Sequence, residues 1–254
     1  GRSSFVVTSS LPAEGKSSTT VNLAIALADA GKRVALLDAD LRKPKVGEYL
    51  GIESGVGLTD VLIEQADIND VLQPYGQDRL EVIGAGAIPP NPSELLASPA
   101  MTVTLAELAG RYDYVLIDCP PVLGVMMVNA LAACDRILVP VQTEFLALKG
   151  LERMMKTFEI MQRSKREKFR YTIIPTMFDK RTRASLMTLQ SIKEQYGEAV
   201  WNAVIPIDTK FRDASLVHIP PSIYAPGSRG TYAYETLLNH LDALERQRTQ
   251  EVMP

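Results

Sequence analysis

The chain has 254 residues, 46% of them hydrophobic and 22% charged, with a formal net charge of −3. That length supports a single large α/β domain with a full core, and the charge excludes a global pull toward nucleic acid or anionic membrane. Two cysteines, Cys119 and Cys134, exclude a disulfide framework and point to a reducing cytoplasm, and no apolar run approaches the ~18 residues of a membrane span.

The start Gly1-Arg2-Ser3-Ser4 leads almost directly into the apolar run Phe5-Val6-Val7, as expected of a chain cut from something longer. Ser10-Leu11-Pro12-Ala13-Glu14-Gly15-Lys16-Ser17 follows and opens a helical pattern from Thr19 to Ala30, stopped by Gly31. A strand, a Gly-Lys-Ser loop and a helix N-terminus make a phosphate-binding loop. Its backbone N–H groups curl round phosphates, a lysine reaches the β/γ oxygens and a hydroxyl ligates Mg²⁺. Ser10 stands where that pattern has its first glycine. Pro12, Ala13, Glu14, Gly15, Lys16, Ser17 and Ser18 are the candidate phosphate-binding residues; the alternative is an ordinary strand-to-helix turn with a capping serine.

Val34-Ala35-Leu36-Leu37 reads as a parallel strand covered on both faces, ending in Asp38-Ala39-Asp40-Leu41-Arg42. Ligands of open parallel sheets bind outside the carboxyl ends of strands, where both aspartates would face the phosphates; as an alternative they cap a helix or turn. A helix from Thr59 to Gln65, a strand at Leu80 to Ile83 and the loop Ile88-Pro89-Pro90-Asn91-Pro92 come next, with Ser93 capping a helix that starts at Glu94. Tyr114 to Asp118 is a second central strand ending in an aspartate, before Cys119-Pro120-Pro121. The anion beside Cys119 should raise its pKa and argues against a thiolate nucleophile.

Strands at Arg136 to Val141 and Tyr171 to Pro175 alternate with helices at Leu148 to Arg163 and Thr182 to Tyr196. A last strand near Val200 to Ile205 and an amphipathic helix from Tyr232 to Leu244 close the chain. The alternation predicts a doubly wound, mainly parallel sheet in one P-loop NTPase domain spanning residues 1–254. Between Lys149 and Arg183 there are 11 basic and 4 acidic residues, either a solvated helix face and loop or a nucleic-acid patch. His218 and His240 lack metal-ligand spacing.

Together these residues predict a Mg²⁺–ATP site. Lys16 would stabilise the β/γ charge, Ser17 and Asp118 would hold the metal with Asp38 a further candidate, and Asp38 or Asp40 would orient or deprotonate the attacking water or hydroxyl. Arg42 would pair with phosphate or with Asp40.

The order of these motifs resembles the deviant P-loop ATPases that include ParA, MinD and the bacterial tyrosine kinases. Residues 5–110 look like the tyrosine-kinase catalytic domain of capsule and exopolysaccharide systems. The resemblance lies in Thr8 to Ser17, in Asp38 to Pro44, and in Pro89-Pro90-Asn91-Pro92-Ser93-Glu94-Leu95-Leu96. Residues 114–245 look instead like ParA-type ATPases. There it lies in Asp118-Cys119-Pro120-Pro121, Leu123-Gly124, Asn129-Ala130-Leu131, Pro140 to Phe145 and Thr176-Met177-Phe178-Asp179. The seam falls near residues 121–127, as in a mosaic or chimera.

By this resemblance Thr176, Met177 and Pro206 border the adenine, and self-association is implied. The partner is a membrane-protein activator on the kinase side or DNA or a positioning partner on the ParA side, so the expected place is the cytoplasm or the inner-membrane periphery. ParA and MinD proteins carry a signature lysine where this chain has Leu11, and bacterial tyrosine kinases end in a tyrosine-rich tail that residues 243–254 lack, leaving Tyr224, Tyr232 and Tyr234 as nearest acceptors. The sequence favours a tyrosine-kinase-like phosphoryl transfer. A ParA/MinD-type switch that hydrolyses ATP is the alternative, and a module that only holds ATP is a third reading.

Overall fold

The computed structural model describes residues 3–76, 79–121, 134–163 and 169–252. In chain order the first half contains β1 (Ser3–Val7), α1 (Lys16–Asp29), β2 (Val34–Asp38), α2 (Val46–Leu50), α3 (Leu58–Leu62), α4 (Ile68–Val71), β3 (Gln73–Tyr75), β4 (Leu80–Ile83), α5 (Pro92–Leu96) and α6 (Pro99–Arg111). The second contains β5 (Tyr114–Asp118), β6 (Arg136–Gln142), α7 (Phe145–Gln162), β7 (Tyr171–Thr176), α8 (Arg183–Tyr196), α9 (Thr209–Leu216), α10 (Pro221–Tyr224) and α11 (Arg229–Val252). One seven-stranded sheet runs in the order β3-β4-β2-β5-β1-β6-β7, parallel except for the antiparallel edge pair β3–β4. This is the doubly wound, single-domain P-loop NTPase fold.

The central strands read as unbroken apolar runs because helices cover both faces of the sheet. Side-chain alternation sends Val6, Ala35, Leu37 and Ile117 into the core under α6 and α7. Phe5, Val7, Leu36 and Leu116 enter the core on the other face, with Leu23 and Leu27 of α1 and Leu237 and Leu241 of α11. The register sets the active edge: Val7 pairs with Asp118 and Asp38 with Asp118, so the phosphate loop and two strand-end carboxylates emerge side by side.

Several local expectations are corrected. Helix α1 begins at Lys16 rather than Thr19, and it ends as read: Gly31, at φ +82°, donates to the Ala28 carbonyl while Lys32 donates to that of Leu27, a Schellman closure. Ser93 does not cap a helix. It lies inside α5, whose N-cap is Asn91, and Ser98 caps the longer α6 by accepting from the Met101 N–H. Residues 200–205 form no full strand. Trp201 and Ile205 donate to the Ile173 and Pro175 carbonyls of β7, but a bend between them breaks the ladder and leaves isolated bridges, Ile173 with Val200 and, just past β7, Phe178 with Pro206. The short edge strand β3 was not anticipated, since Gln73-Pro74-Tyr75 has no apolar alternation. Of the seam near 121–127 only Pro121 is among the described residues, and Leu123-Gly124 and Asn129-Ala130-Leu131 lie outside them.

The closing helix runs further than its apolar stripe predicts because ion pairs hold its later turns. Arg136 of β6 meets Glu245 at 3.0 Å with both side chains nearly buried, and Arg248 meets Glu245 and Asp135, whose other oxygen accepts from Ser4. No helix among the described residues is long and apolar enough to cross a membrane.

Candidate functional site

The site is built where β1 turns into α1. Ala13 at φ +64° and Gly15 at φ +82° bend the loop through left-handed conformations, which curls its amides inward. A left-handed alanine is strained, and such strain persists only where the surroundings impose it. Here the imposing contacts come from Glu14, a carboxylate 1% exposed. Its Oε2 accepts from the Ser10 hydroxyl at 2.9 Å and the Leu11 N–H at 2.7 Å, and its carbonyl accepts from the Thr176 hydroxyl at 2.8 Å. Burial raises the Glu14 pKa, against the pull of these donors. The side chain of this loop residue therefore braces the loop from within. Ser9 donates to the Leu11 carbonyl and Thr8 to that of Pro120, fixing the entry.

Lys16 is buried and points at two carboxylates, 2.8 Å from Asp118 and 3.3 Å from Asp40. Burial alone would lower its pKa; Asp118 and then Asp40 reverse that and hold it above the ordinary value as an ammonium. The Ser17 hydroxyl donates to Asp118 at 2.6 Å. Thr20 donates to the other Asp118 oxygen at 3.0 Å, a contact the sequence reading missed. Its signal was available, since Thr20 is one helical turn beyond Ser17 and shares its face. Asp118 is completely buried, which raises its pKa against the lowering effect of Lys16, Ser17 and Thr20.

Asp38 is also fully buried, and its Oδ2 accepts from the N–H groups of Lys45 and Val46, each at 3.0 Å, while Oδ1 accepts from Asp40 N–H at 3.2 Å. It thus organises the loop leading into α2 and lies behind Asp40, the carboxylate nearer to Lys16. Burial, then the Asp118 charge, raise its pKa to about 7. Arg42 does not pair with Asp40: its guanidinium donates to the Ser93 hydroxyl at 3.1 Å, joining the Asp38–Pro44 segment to the proline-rich loop. Cys119 is raised well above its usual pKa as expected, but burial is the larger cause and Asp118 the lesser.

The residues read as bordering the base also gather here. Thr176 is buried at the end of β7, Met177 follows at φ +51° and 36% exposed, and Phe178 bridges to Pro206. The Met177 methyl lies 3.6 Å from where a Cβ on Gly15 would sit. Leu11 is half-buried against α7, where a Cβ on Gly150 would come within 2.6 Å of the Ser10 hydroxyl and 3.0 Å of Leu11. Of the basic residues from Lys149 to Arg183, Arg153, Lys156, Arg163 and Arg170 are exposed, and Lys165 and Arg166 lie outside the described residues.

These residues fit a Mg²⁺–nucleotide. Among the described residues the N–H groups of Gly15, Lys16, Ser17 and Ser18 have no protein acceptor, and no side chain caps α1, so its positive end is open to an anion. Ser17 and Asp118 offer hard oxygen donors of the kind Mg²⁺ takes, and water completes such sites.

Comparison with known proteins agrees. The AAA domain model matches residues 13–171. The sporulation initiation inhibitor protein Soj of Bacillus subtilis is 32% identical over 239 residues, covering 90% of this chain and 94% of that protein. The chain belongs to the ParA/MinD family of P-loop ATPases. Within this ParA/MinD-type chain a shorter likeness is also found: the tyrosine-protein kinase YwqD of Bacillus subtilis is 45% identical over 122 residues, 48% of this chain and 52% of that protein. Among solved structures, cobyrinic acid a,c-diamide synthase of Mycobacterium smegmatis with bound ATP analog and magnesium superposes with a TM-score of 0.80 at 25% identity, covering 100% of this chain and 98% of that one.

Proposed function

We propose that this protein binds Mg²⁺–ATP and hydrolyses it as a nucleotide-dependent switch of the ParA/MinD type. The observation that carries the reading is the convergence of Lys16, Ser17, Asp40 and Asp118 on one point at the open N-terminus of α1. Bound Mg²⁺ would neutralise charge between the β- and γ-phosphates, and Ser17 and Asp118 are the residues to hold it. Lys16 exchanges its carboxylate partners for phosphate oxygens. Asp40 orients the attacking water, and Asp38 fixes the backbone around Asp40. The likeness to Soj over nearly the whole of both chains supports the switch over the kinase that the sequence favoured.

Self-association belongs to this reading, without the signature lysine: Leu11 cannot neutralise a partner's phosphates. DNA is the partner suggested by exposed Arg153, Lys156 and Arg163 on one helix, and it would be bound through phosphate contacts that weaken with salt. The protein then works in the cytoplasm or at the membrane periphery through a partner.

Phosphoryl transfer to tyrosine remains the second reading, favoured by the kinase-like stretch and by the Arg42–Ser93 contact that joins two of its motifs. Of the three candidate acceptors, Tyr232 and Tyr224 are 70% and 41% exposed, whereas Tyr234 is buried against Thr19. Incubation with Mg²⁺ and γ-labelled ATP separates the readings. Free phosphate, lost in Lys16→Ala, supports the switch; label on Tyr224 or Tyr232 replaces it with the kinase; neither product sinks both.

A further inference from the structure

The far end of α1 borders a cavity that the nucleotide site does not use. It has a volume of about 330 Å³ and lies between α1, α11 and the α9–α10 segment. That is at the small end of ligand pockets, roughly 300–1,000 Å³. Its apolar floor is Ile25, Phe211, Tyr234 and Leu238, and the Phe211 and Tyr234 rings meet edge to face with centroids 5.5 Å apart. The Ser222 hydroxyl at its wall is buried and has no hydrogen-bond partner. A buried polar group without a partner is costly, so this hydroxyl calls for a ligand atom or water.

The rim has one sign of charge. Asp29 and Glu235 line it, no lysine or arginine does, and among the described residues neither carboxylate has an ion-pair partner. Asp29 is moreover the last residue of α1, a helix with no basic residue in its last turn. A carboxylate there opposes the negative end of the helix dipole, an arrangement that a cation relieves. An aromatic floor adds attraction for the same charge.

We propose that this cavity binds a small organic cation, a primary ammonium on a short apolar stem. The stem lies on Ile25 and Leu238 beside the aromatic pair, the ammonium is held between Asp29 and Glu235, and Ser222 accepts one of its hydrogens or bonds a polar group on the stem. One helix would thus present its positive end to phosphate and its negative end to an amine.

The test uses the full chain and three isosteric probes, 2-phenylethylammonium, 2-phenylethanol and phenylacetate, titrated by calorimetry and by protein-observed NMR. The ammonium is expected to saturate, the alcohol to bind at least tenfold more weakly and the carboxylate not at all. Asp29→Asn with Glu235→Gln, both at exposed positions, should weaken the ammonium at least tenfold while leaving the circular dichroism and ATP turnover unchanged. No saturation by the ammonium at millimolar concentration, equal affinity for ammonium and alcohol, or an unchanged affinity in the double variant would each overturn the proposal. Because the readout is binding rather than turnover, these results stand apart from the fate of the switch reading.

Discussion

Replacing Asp38 by asparagine isolates the electrostatic cost of placing a third carboxylate behind the nucleotide site. In the fold the Asp38 pKa is raised from 3.8 to about 7, first by burial and then by Asp118. Between those values the native state keeps a proton that the unfolded chain has released, so stability falls as pH rises from ~4 to ~7. Each unit of separation is worth about 1.4 kcal/mol, which puts the full cost above pH ~8 on the order of 4 kcal/mol. Asp38→Asn removes the charge but keeps an oxygen for the N–H groups of Lys45 and Val46. Its amide NH₂ then faces the Asp40 N–H, a penalty that does not vary with pH, so the pH slope is diagnostic and the absolute stability is not.

The assay is urea unfolding of wild type and variant in chelator without nucleotide. Between pH ~5 and pH ~8 the stability difference should move by roughly 2–3 kcal/mol in favour of the variant. A difference that stays flat with pH, or moves toward the wild type, would refute the argument that burial sets this group's proton affinity.

Lys16→Ala should abolish nucleotide retention and phosphate release, while Asp40→Ala should lower turnover and spare much of the binding, as read by equilibrium binding of labelled ATP beside a phosphate assay. Unchanged turnover in both removes the site assignment. Gly150→Ala drives a methyl toward Ser10 and Leu11 and must shift the start of the phosphate loop. It should raise the KM for ATP about tenfold at a stability cost of about 1–3 kcal/mol, and wild-type kinetics would show that α7 does not brace the loop. Glu245→Ala strands the nearly buried Arg136 guanidinium and should cost about 3 kcal/mol in urea unfolding, with turnover per folded molecule unchanged.

What was legible in the sequence was whatever a strand's composition or a loop's chemistry dictates locally. Val34 to Leu37 and Tyr114 to Ile117 could only be covered strands, and an aspartate at the end of each fell at the active edge because parallel register aligns strand ends. Lys16 and Ser17 lie at the N-terminus of α1 beside Asp118, and Met177 lies close to Gly15 of the same loop. The illegible parts depend on distant partners. Arg42 reaches Ser93 rather than Asp40 because the proline-rich loop folds over it, and no local pattern announces that. Residues 200–205 have strand composition and touch the edge of β7 at Trp201 and Ile205, but the bend at residues 202–203 between them breaks the ladder. Glu14 was read as one loop residue among several; its role as an internal brace follows from its burial, which composition hides.

The two family likenesses do not divide the chemistry between halves of the chain. Lys16 and Asp40 come from the first half of the chain and Asp118 and Thr176 from the second, yet Lys16 bonds Asp118 and Thr176 bonds the Glu14 carbonyl. Both contacts join the two halves of the chain, so a change of partner on either side would leave a buried charge or a buried hydroxyl unpaired, at a cost of about 1–3 kcal/mol or more apiece. On either reading the same residues would polarise the phosphates, since hydrolysis and transfer both proceed by in-line attack on the same γ-phosphorus. The outcome therefore rests on what reaches the space beside Asp40, water or a tyrosine. Tyr234 is shut in the core whereas Tyr232 and Tyr224 are presented to solvent, so on the kinase reading these two are the acceptors to test, and a labelling rate that rises with protein concentration would separate transfer between molecules from transfer within one.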